Sequence, residues 1–284
     1  MPAPRKKALK LDEIGYWSEI KLDIIREYAH AYSKILANQR APRLHHVYID
    51  AFAGAGAHRS KTTGEVIEGS PVIAANTQPP FSEYHFIDLD GSKASKLRAD
   101  FVNRPEIHVH HGDCNRILLE KVFPRILFEE YRRGLCLLDP YGLHLNWEVI
   151  QKAAQMRSIE IFLNFPVMDM NRNVFWRHTE KVREQDLKRM TAFWGDESWR
   201  QAAYAPVQTL YGPEDEKTDN ETIARTFRER LRKTAGFAHV PEPMPMRNST
   251  GAVVYYLYFA SPKPVAARIV TDIFNKYRNW SATS

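Results

Sequence analysis

The stretch His46–Arg59, H-V-Y-I-D-A-F-A-G-A-G-A-H-R, constrains this chain more than any other. Val47, Tyr48 and Ile49 form a short apolar, β-rich run that ends on Asp50. The chain then turns through Ala51-Phe52-Ala53-Gly54-Ala55-Gly56-Ala57, where nearly every side chain is small. A buried strand opening into such a turn lets backbone N–H groups approach a ligand closely. A dinucleotide fingerprint would need a small residue three places after Gly56, and Arg59 stands there. No helix follows promptly: residues 58–69 are polar and turn-like, and the next helix signal is Ser70-Pro71, a cap followed by proline. A strand-to-helix turn of another Rossmann-like domain has the same outline, so the ligand has to be read from the rest of the chain.

Further strand signals follow at α/β spacing. Glu83–Asp90 reads as a strand finishing in acidic residues, where Asp88 or Asp90 can bridge two ribose hydroxyls while the other caps the next helix. Ile107–His111 leads into Gly112-Asp113-Cys114, and Gly134–Leu138 into Asp139-Pro140-Tyr141-Gly142. Ile159–Pro166 supplies a fifth strand. Strands alternating with helices, each with a polar residue at its carboxyl end, describe an open parallel sheet with a ligand crevice along one edge. Val253–Ala260 and the helix 262–277, with a short strand at 245–248, fit a closing hairpin whose last strand runs antiparallel.

Ahead of the opening motif, residues 1–10 read as a Pro- and Lys-rich tail. A helix begins near Trp17, with Ser18 as its cap and Ile20, Ile24, Tyr28, Tyr32 and Ile35 on one face. Trp17 and Lys21 either project toward the ligand or are a core tryptophan and a surface lysine. Segment 167–220 breaks the α/β pattern and reads as a mostly helical insertion over the sheet edge. The partition is therefore a core of 1–166 with 221–284, plus that insertion. Its Phe175, Trp176, Phe193, Trp194 and Trp199 lie among arginines and lysines. Such a mixture suits single-stranded nucleic acid or a flipped base, and equally the packing of a small helical lid. The basic face of Arg225, Arg228 and Arg232 reads as solvated.

The 284 residues carry a net charge of +6, which mildly favours a polyanionic partner. No apolar run approaches the roughly 20 residues of a membrane span, and the first residues lack the apolar stretch of a signal peptide. Cys114 and Cys136 set no disulfide framework and fit a reducing cytosol, so a cytoplasmic protein is expected. Histidines cluster at His45, His46, His85, His108, His110 and His111, but with no CxxC or HExxH no metal centre is expected.

D-x-F-x-G-x-G at 50–56 resembles the first motif of the S-adenosylmethionine (SAM) methyltransferases. The resemblance implies a Rossmann-like class I methyltransferase fold: a seven-stranded, mostly parallel sheet with an antiparallel last strand, plus the helical insertion. It also implies cofactor binding by Asp50, Phe52, Gly54, Gly56, Asp88, Asp113 and Cys114. D-P-Y-G at 139–142 resembles the (D/N/S)-P-P-(Y/F) tetrad of amino-directed methyltransferases, with one proline missing, and the D-P-F-G of tRNA guanine-N2 dimethyltransferases. In that task the Asp139 carboxylate and the Pro140 carbonyl accept the two N–H bonds of an exocyclic base amine, favouring a pyramidal nucleophilic nitrogen, and the Tyr141 ring stacks on the base. An Asp-Pro-x-Gly turn after a strand is the plainer reading.

Taken in order, Trp17, Lys21-Leu22, Y-I-D-A-F-A-G-A-G at 48–56, E-G-S-P at 68–71, F-I-D at 86–88, L-D-P-Y-G at 138–142, N-F-P at 164–166 and Y-Y-L-Y-F-A-S at 255–261 resemble the three-Cys-motif partner protein (TcmP) family. This implies a three-cysteine-motif protein as a partner and leaves the substrate open. The leading expectation is a SAM-dependent methyltransferase acting on an exocyclic amine of a nucleobase in DNA or RNA. The alternatives are a methyltransferase-like binding partner without chemistry of its own, and a methyltransferase for a small molecule or protein.

Overall fold

A computed structural model describes residues 11–209 and 212–278; the tail read at 1–10 lies outside the described residues. In chain order the elements are β1 (Asp12–Ile14), α1 (Tyr16–Ala37), β2 (His45–Asp50), β3 (Ala57–Ser60), β4 (Val66–Glu68), α2 (Ser70–Ala75), β5 (Glu83–Asp88), α3 (Gly91–Asp100), β6 (Ile107–His111) and α4 (Cys114–Ile117). They continue with β7 (Arg132–Leu138), α5 (Trp147–Met156), β8 (Ile159–Phe165), α6 (Val167–Asn173), α7 (Glu184–Trp194), α8 (Trp199–Ala203), β9 (Tyr204–Thr209), β10 (Gly212–Lys217), α9 (Asn220–Arg230), β11 (Met244–Arg247), β12 (Val253–Ala260) and α10 (Pro264–Arg278).

The central sheet has seven strands in the order β11-β12-β8-β7-β2-β5-β6. β8, β7, β2, β5 and β6 pair in parallel, and β12 runs antiparallel to both β8 and β11. This is the Rossmann-like, mostly parallel sheet with an antiparallel last strand that the motif order predicts. Central strands of a parallel sheet are covered on both faces. Accordingly Val47, Tyr48 and Ile49 are each fully buried.

The two faces carry separate cores. On one, Ile20, Ile24, Tyr28 and Tyr32 of α1 pack with Phe81, Phe162, Phe259 and the Val270–Phe274 turn of α10. The spacing of those four α1 residues puts them on one helical stripe. On the other face, Val149, Ile150 and Ala153 of α5 pack with Phe165, Tyr258 and Phe227. Met170, Phe175, Phe193, Trp194 and Trp199 belong to this second core. The aromatics of 167–203 therefore mostly hold that segment against the sheet layer; Trp176, 42% exposed, is the exception.

Several local readings change. α1 begins at Tyr16 with Gly15 as its N-cap, and Ser18 lies inside its first turn rather than capping it. Residues 58–69 are not merely turn-like: β3 and β4 form an antiparallel hairpin, and β1 adds to β3 in parallel. Segment 167–220 also carries a hairpin, β9 with β10. β1 and β4 are three residues each, too short for alternation to register.

A crevice at the carboxyl ends of the strands

The parallel strands end on Asp50, Asp88, Leu138 just before Asp139, and Phe165 just after Asn164, and the turns that follow converge on one edge of the sheet. A crevice of about 320 Å³ opens there. It is lined by Phe52 and Gly54 from the turn after β2, Asp139, Pro140 and Tyr141 after β7, Asn164 of β8, and Trp17 and Lys21 of α1. Glu13, Ile14, His58, Lys61, Ser70 and Tyr255 also line it. A cleft of about 890 Å³ lies between Arg177–Thr179 and β9–β10. It is walled by side chains of the insertion, with Arg177 paired to Glu214 at 2.6 Å, and gathers no strand ends. The smaller crevice sits where open α/β sheets bind ligands.

Asp50 is fully buried at the end of β2. Its Oδ1 accepts from the Phe52 N–H at 3.2 Å, and the Ser70 hydroxyl also reaches the carboxylate. Burial pushes its carboxyl up from 3.8 to about 7, against the lowering effect of hydrogen bonds from Ser70 and Phe52. Gly54 has φ +65°, open to glycine at no steric cost, and an added Cβ would meet only His58 Cε1, at 3.9 Å. The turn thus keeps open backbone on the crevice side. Its N–H donates to Asp88 Oδ2 at 2.8 Å, which ties the end of β5 to the turn after β2. Gly56 faces the other way. Its backbone meets that of Gly69 so closely that a Cβ on Gly69 would lie 2.9 Å from Gly56 C.

The pair Asp88 and Asp90 divides its work. Asp90 is the N-cap of α3 and accepts from Ser92 N at 2.7 Å and Lys93 N at 3.3 Å. Asp88, at the strand end, holds Gly54. Asp113 is the N-cap of α4, accepting from Arg116 N at 3.0 Å, and is exposed. Cys114 is buried, and burial pushes its thiol up to about 12. Asp50, Gly56, Asp88, Asp113 and Cys114 do not line the crevice, whereas Phe52, Gly54, Asp139, Pro140 and Tyr141 do. The exposed Leu89, 72% accessible between Asp88 and Asp90, is an apolar side chain at the same sheet edge that the motifs do not mark.

Asp139 is the most heavily bonded group of the crevice. Lys21 Nζ forms an ion pair with its Oδ2, and Asn164 Nδ2 donates to its Oδ1 at 2.7 Å. Lys21 is thus no surface lysine; it is buried, inside the site. Tyr141 is 63% exposed, and its hydroxyl donates to Asp12 Oδ2 at 3.2 Å. Asp12 also takes Lys93 Nζ at 2.6 Å, so β1 straps the rim of the crevice. Gly142 has φ +60°, and a Cβ there would lie 2.9 Å from Asp169 Oδ2 of α6. The D-P-Y-G run therefore needs its glycine to pass beneath α6. His58 Nδ1 is buried without a partner; burial, then the Lys21 charge, lowers its pKa.

Sequence reasoning missed His58, Lys61, Ser70 and β1. Asn164 was visible as a polar strand end and within N-F-P, with no role attached. Of the clustered histidines, His85, with Nε2 2.9 Å from Glu83 Oε1, stacks between His108 and His110, and His111 lies opposite Asp88. Among the described residues no group of three or more His, Cys, Asp or Glu side chains is placed to hold a metal ion. No helix among them is long and apolar enough to cross a membrane.

The sequence matches no family model and no curated protein. Among solved structures the chain is similar to protein LPL1258 from Legionella pneumophila, at 13% identity over 91% of this chain and 92% of that one, with a TM-score of 0.45. It is similar to the DszA carbon methyltransferase at 12% identity over 86% of this chain, spanning 54% of that chain, with a TM-score of 0.47. A proposed SAM-dependent methyltransferase from Listeria monocytogenes gives 10% identity, coverage of 87% and 97%, and a TM-score of 0.44. At such identities and scores the likenesses concern fold and say nothing of chemistry. By its own strand order and pairing, the chain has a Rossmann-like fold of the methyltransferase type.

Proposed function

We propose that the protein is a SAM-dependent methyltransferase that N-methylates an exocyclic amine of a nucleobase in DNA or RNA. The observation that carries this reading is the convergence of Phe52, Gly54, Asp139, Pro140 and Tyr141 on one crevice at the carboxyl edge of the sheet. Bound there, SAM would supply an electrophilic methyl group. Asp50, a buried carboxylate at the strand end, suits the methionyl ammonium; the open backbone at Gly54 suits close approach; Asp88 suits the ribose, since Asp90 is committed to capping α3. On this reading Asp113 and Cys114 hold the adenine at the neighbouring strand end, with Gly56 shaping the turn by its packing on Gly69. Asp139 and Pro140 receive the amine, and the exposed Tyr141 ring supplies a stacking face.

The same reading keeps 167–220 as an insertion bordering the substrate mouth and takes a three-Cys-motif protein as partner, in the cytoplasm. Isothermal titration with SAM and with S-adenosylhomocysteine (SAH) tests the cofactor. Binding of either is expected, and binding of neither sinks the assignment. Asp139→Ala is expected to keep binding and lose methyl transfer to bulk RNA or DNA; full activity in that variant would leave D-P-Y-G as a turn.

A further inference from the structure

The sequence marks Asp139 as the acceptor for the amine, yet both its oxygens are engaged, Oδ2 by the Lys21 ammonium and Oδ1 by Asn164 Nδ2. The acceptor with no partner at all belongs to Asn164. Because its Nδ2 donates to a carboxylate, the amide's orientation is fixed and Oδ1 turns away from Asp139. Asn164 is 8% exposed and lines the crevice beside Asp139, Pro140 and Tyr141, and its Oδ1 has no hydrogen-bond partner. Buried polar atoms in folded proteins are nearly always paired, and the exceptions call for a ligand or a function.

Charge narrows the donor. The Lys21–Asp139 pair is neutral as a unit, and of the ionisable groups lining the crevice Lys21 and Lys61 offset Glu13 and Asp139. On the proposed reading the cofactor's own ammonium takes Asp50, so a substrate alkylammonium would meet the Lys21 charge with no surplus carboxylate lining the crevice. A neutral N–H meets an amide oxygen with no such repulsion. Resting on the proposed amine-methylating function, we infer that Asn164 Oδ1 is the direct acceptor for a neutral N–H donor, an amine delocalised into a ring. Asp139, held by Lys21, orients Asn164, and its remaining lone pairs accept the amine's other N–H. The site thereby selects nucleobase-type amines over the ammonium groups of lysine side chains or polyamines.

The test uses the full chain saturated with SAH and labelled single-stranded oligodeoxyadenylate, oligodeoxycytidylate and oligothymidylate of equal length. Only the first two bear exocyclic amines. Wild type is expected to bind at least one of them about tenfold more tightly than oligothymidylate, the size of one lost hydrogen bond to a buried acceptor. Asn164→Leu and Asn164→Ala are expected to bring that ratio close to one while SAH affinity, measured first as the check on folding, is unchanged. A variant that binds SAH and keeps the wild-type ratio overturns the inference and leaves the proposed function standing. So does a wild type that binds SAH and holds all three oligonucleotides equally. A wild type that takes up no SAH overturns the cofactor reading, and this inference with it.

Discussion

Lys21, in the second turn of α1, forms an ion pair with Asp139 at the end of β7, joining the leading helix to the strand end that carries D-P-Y-G. The lysine side chain is 9% exposed and the aspartate 25%. Taking one partner from a buried pair strands the other charge. Lys21→Met is therefore expected to destabilise the fold by about 2 kcal/mol, below the usual buried-pair cost because Asp139 keeps some water. Lys21→Met with Asp139→Asn is expected to recover most of this loss. Urea unfolding of both single variants and the double variant measures it; additive losses would show that the two charges do not interact.

On the proposed cofactor reading, Asp50 gives SAM binding a pH dependence. Burial raises its carboxyl to about 7, so below that pH the side chain is largely protonated and must ionise to receive the methionyl ammonium. SAM affinity is expected to rise about eightfold from pH 6 to pH 7.5, following the ionised fraction of a group titrating near 7. Asp50→Asn is expected to flatten the profile and weaken binding at the higher pH. Titration calorimetry at both pH values checks it, and a wild-type profile as flat as the variant's would remove Asp50 from the cofactor site.

How much of this was legible depends on how locally each feature is encoded. The sheet was, because Val47–Ile49, Phe86–Ile87, Leu135–Leu138 and Ile161–Leu163 are apolar runs long enough to declare buried strands, each stopping at a polar residue. Asp139 and Tyr141 were, because a motif states both residue type and spacing. The place of Lys21 was not: it meets Asp139 from 118 positions away, and one lysine on a helix looks the same whether it faces water or a carboxylate. β1 was hidden for a related reason. Asp12–Ile14 owes its strand conformation to pairing with His58–Ser60 and not to any pattern of its own.

The tryptophans of 167–220 separate packing from binding. Trp199 is fully buried and its indole N–H donates to Thr191 Oγ1 at 3.0 Å, whereas Trp176 is 42% exposed. Trp199→Ala is expected to cost about 3–5 kcal/mol, as for other large core aromatics. Trp176→Ala is expected to change stability by less than about 1 kcal/mol, and a loss of oligonucleotide retention in that variant would place the ring on the substrate path. Denaturant midpoints alongside an oligonucleotide titration distinguish the two residues.

Glu160 makes the core itself sensitive to pH. It is buried between α1 and β12, accepting from Tyr28 Oη and from Ser261 Oγ, the latter at 3.0 Å. Burial raises its carboxyl from 4.5 to about 7, and the two hydroxyls only partly offset this. Between those values the folded chain keeps a proton that the unfolded chain has released. This group's contribution to stability is therefore fully present below about pH 4.5 and declines as pH rises toward 7. The decline from this group alone is at most about 3 kcal/mol, at 1.36 kcal/mol per unit. Glu83 acts in the opposite sense. Hydrogen bonding from His85 first, then from Arg132, holds it down to about 2, and its stabilisation is lost as pH falls from the ordinary carboxylate range toward 2. Glu160→Gln is expected to remove the loss between pH 4.5 and 7 and to make the protein more stable than wild type at pH 8, while leaving the acid limb due to Glu83 in place. Unfolding free energies at pH 5, 6.5 and 8 decide it: a variant whose stability falls over that range as steeply as wild type would show that Glu160 is already ionised in the fold.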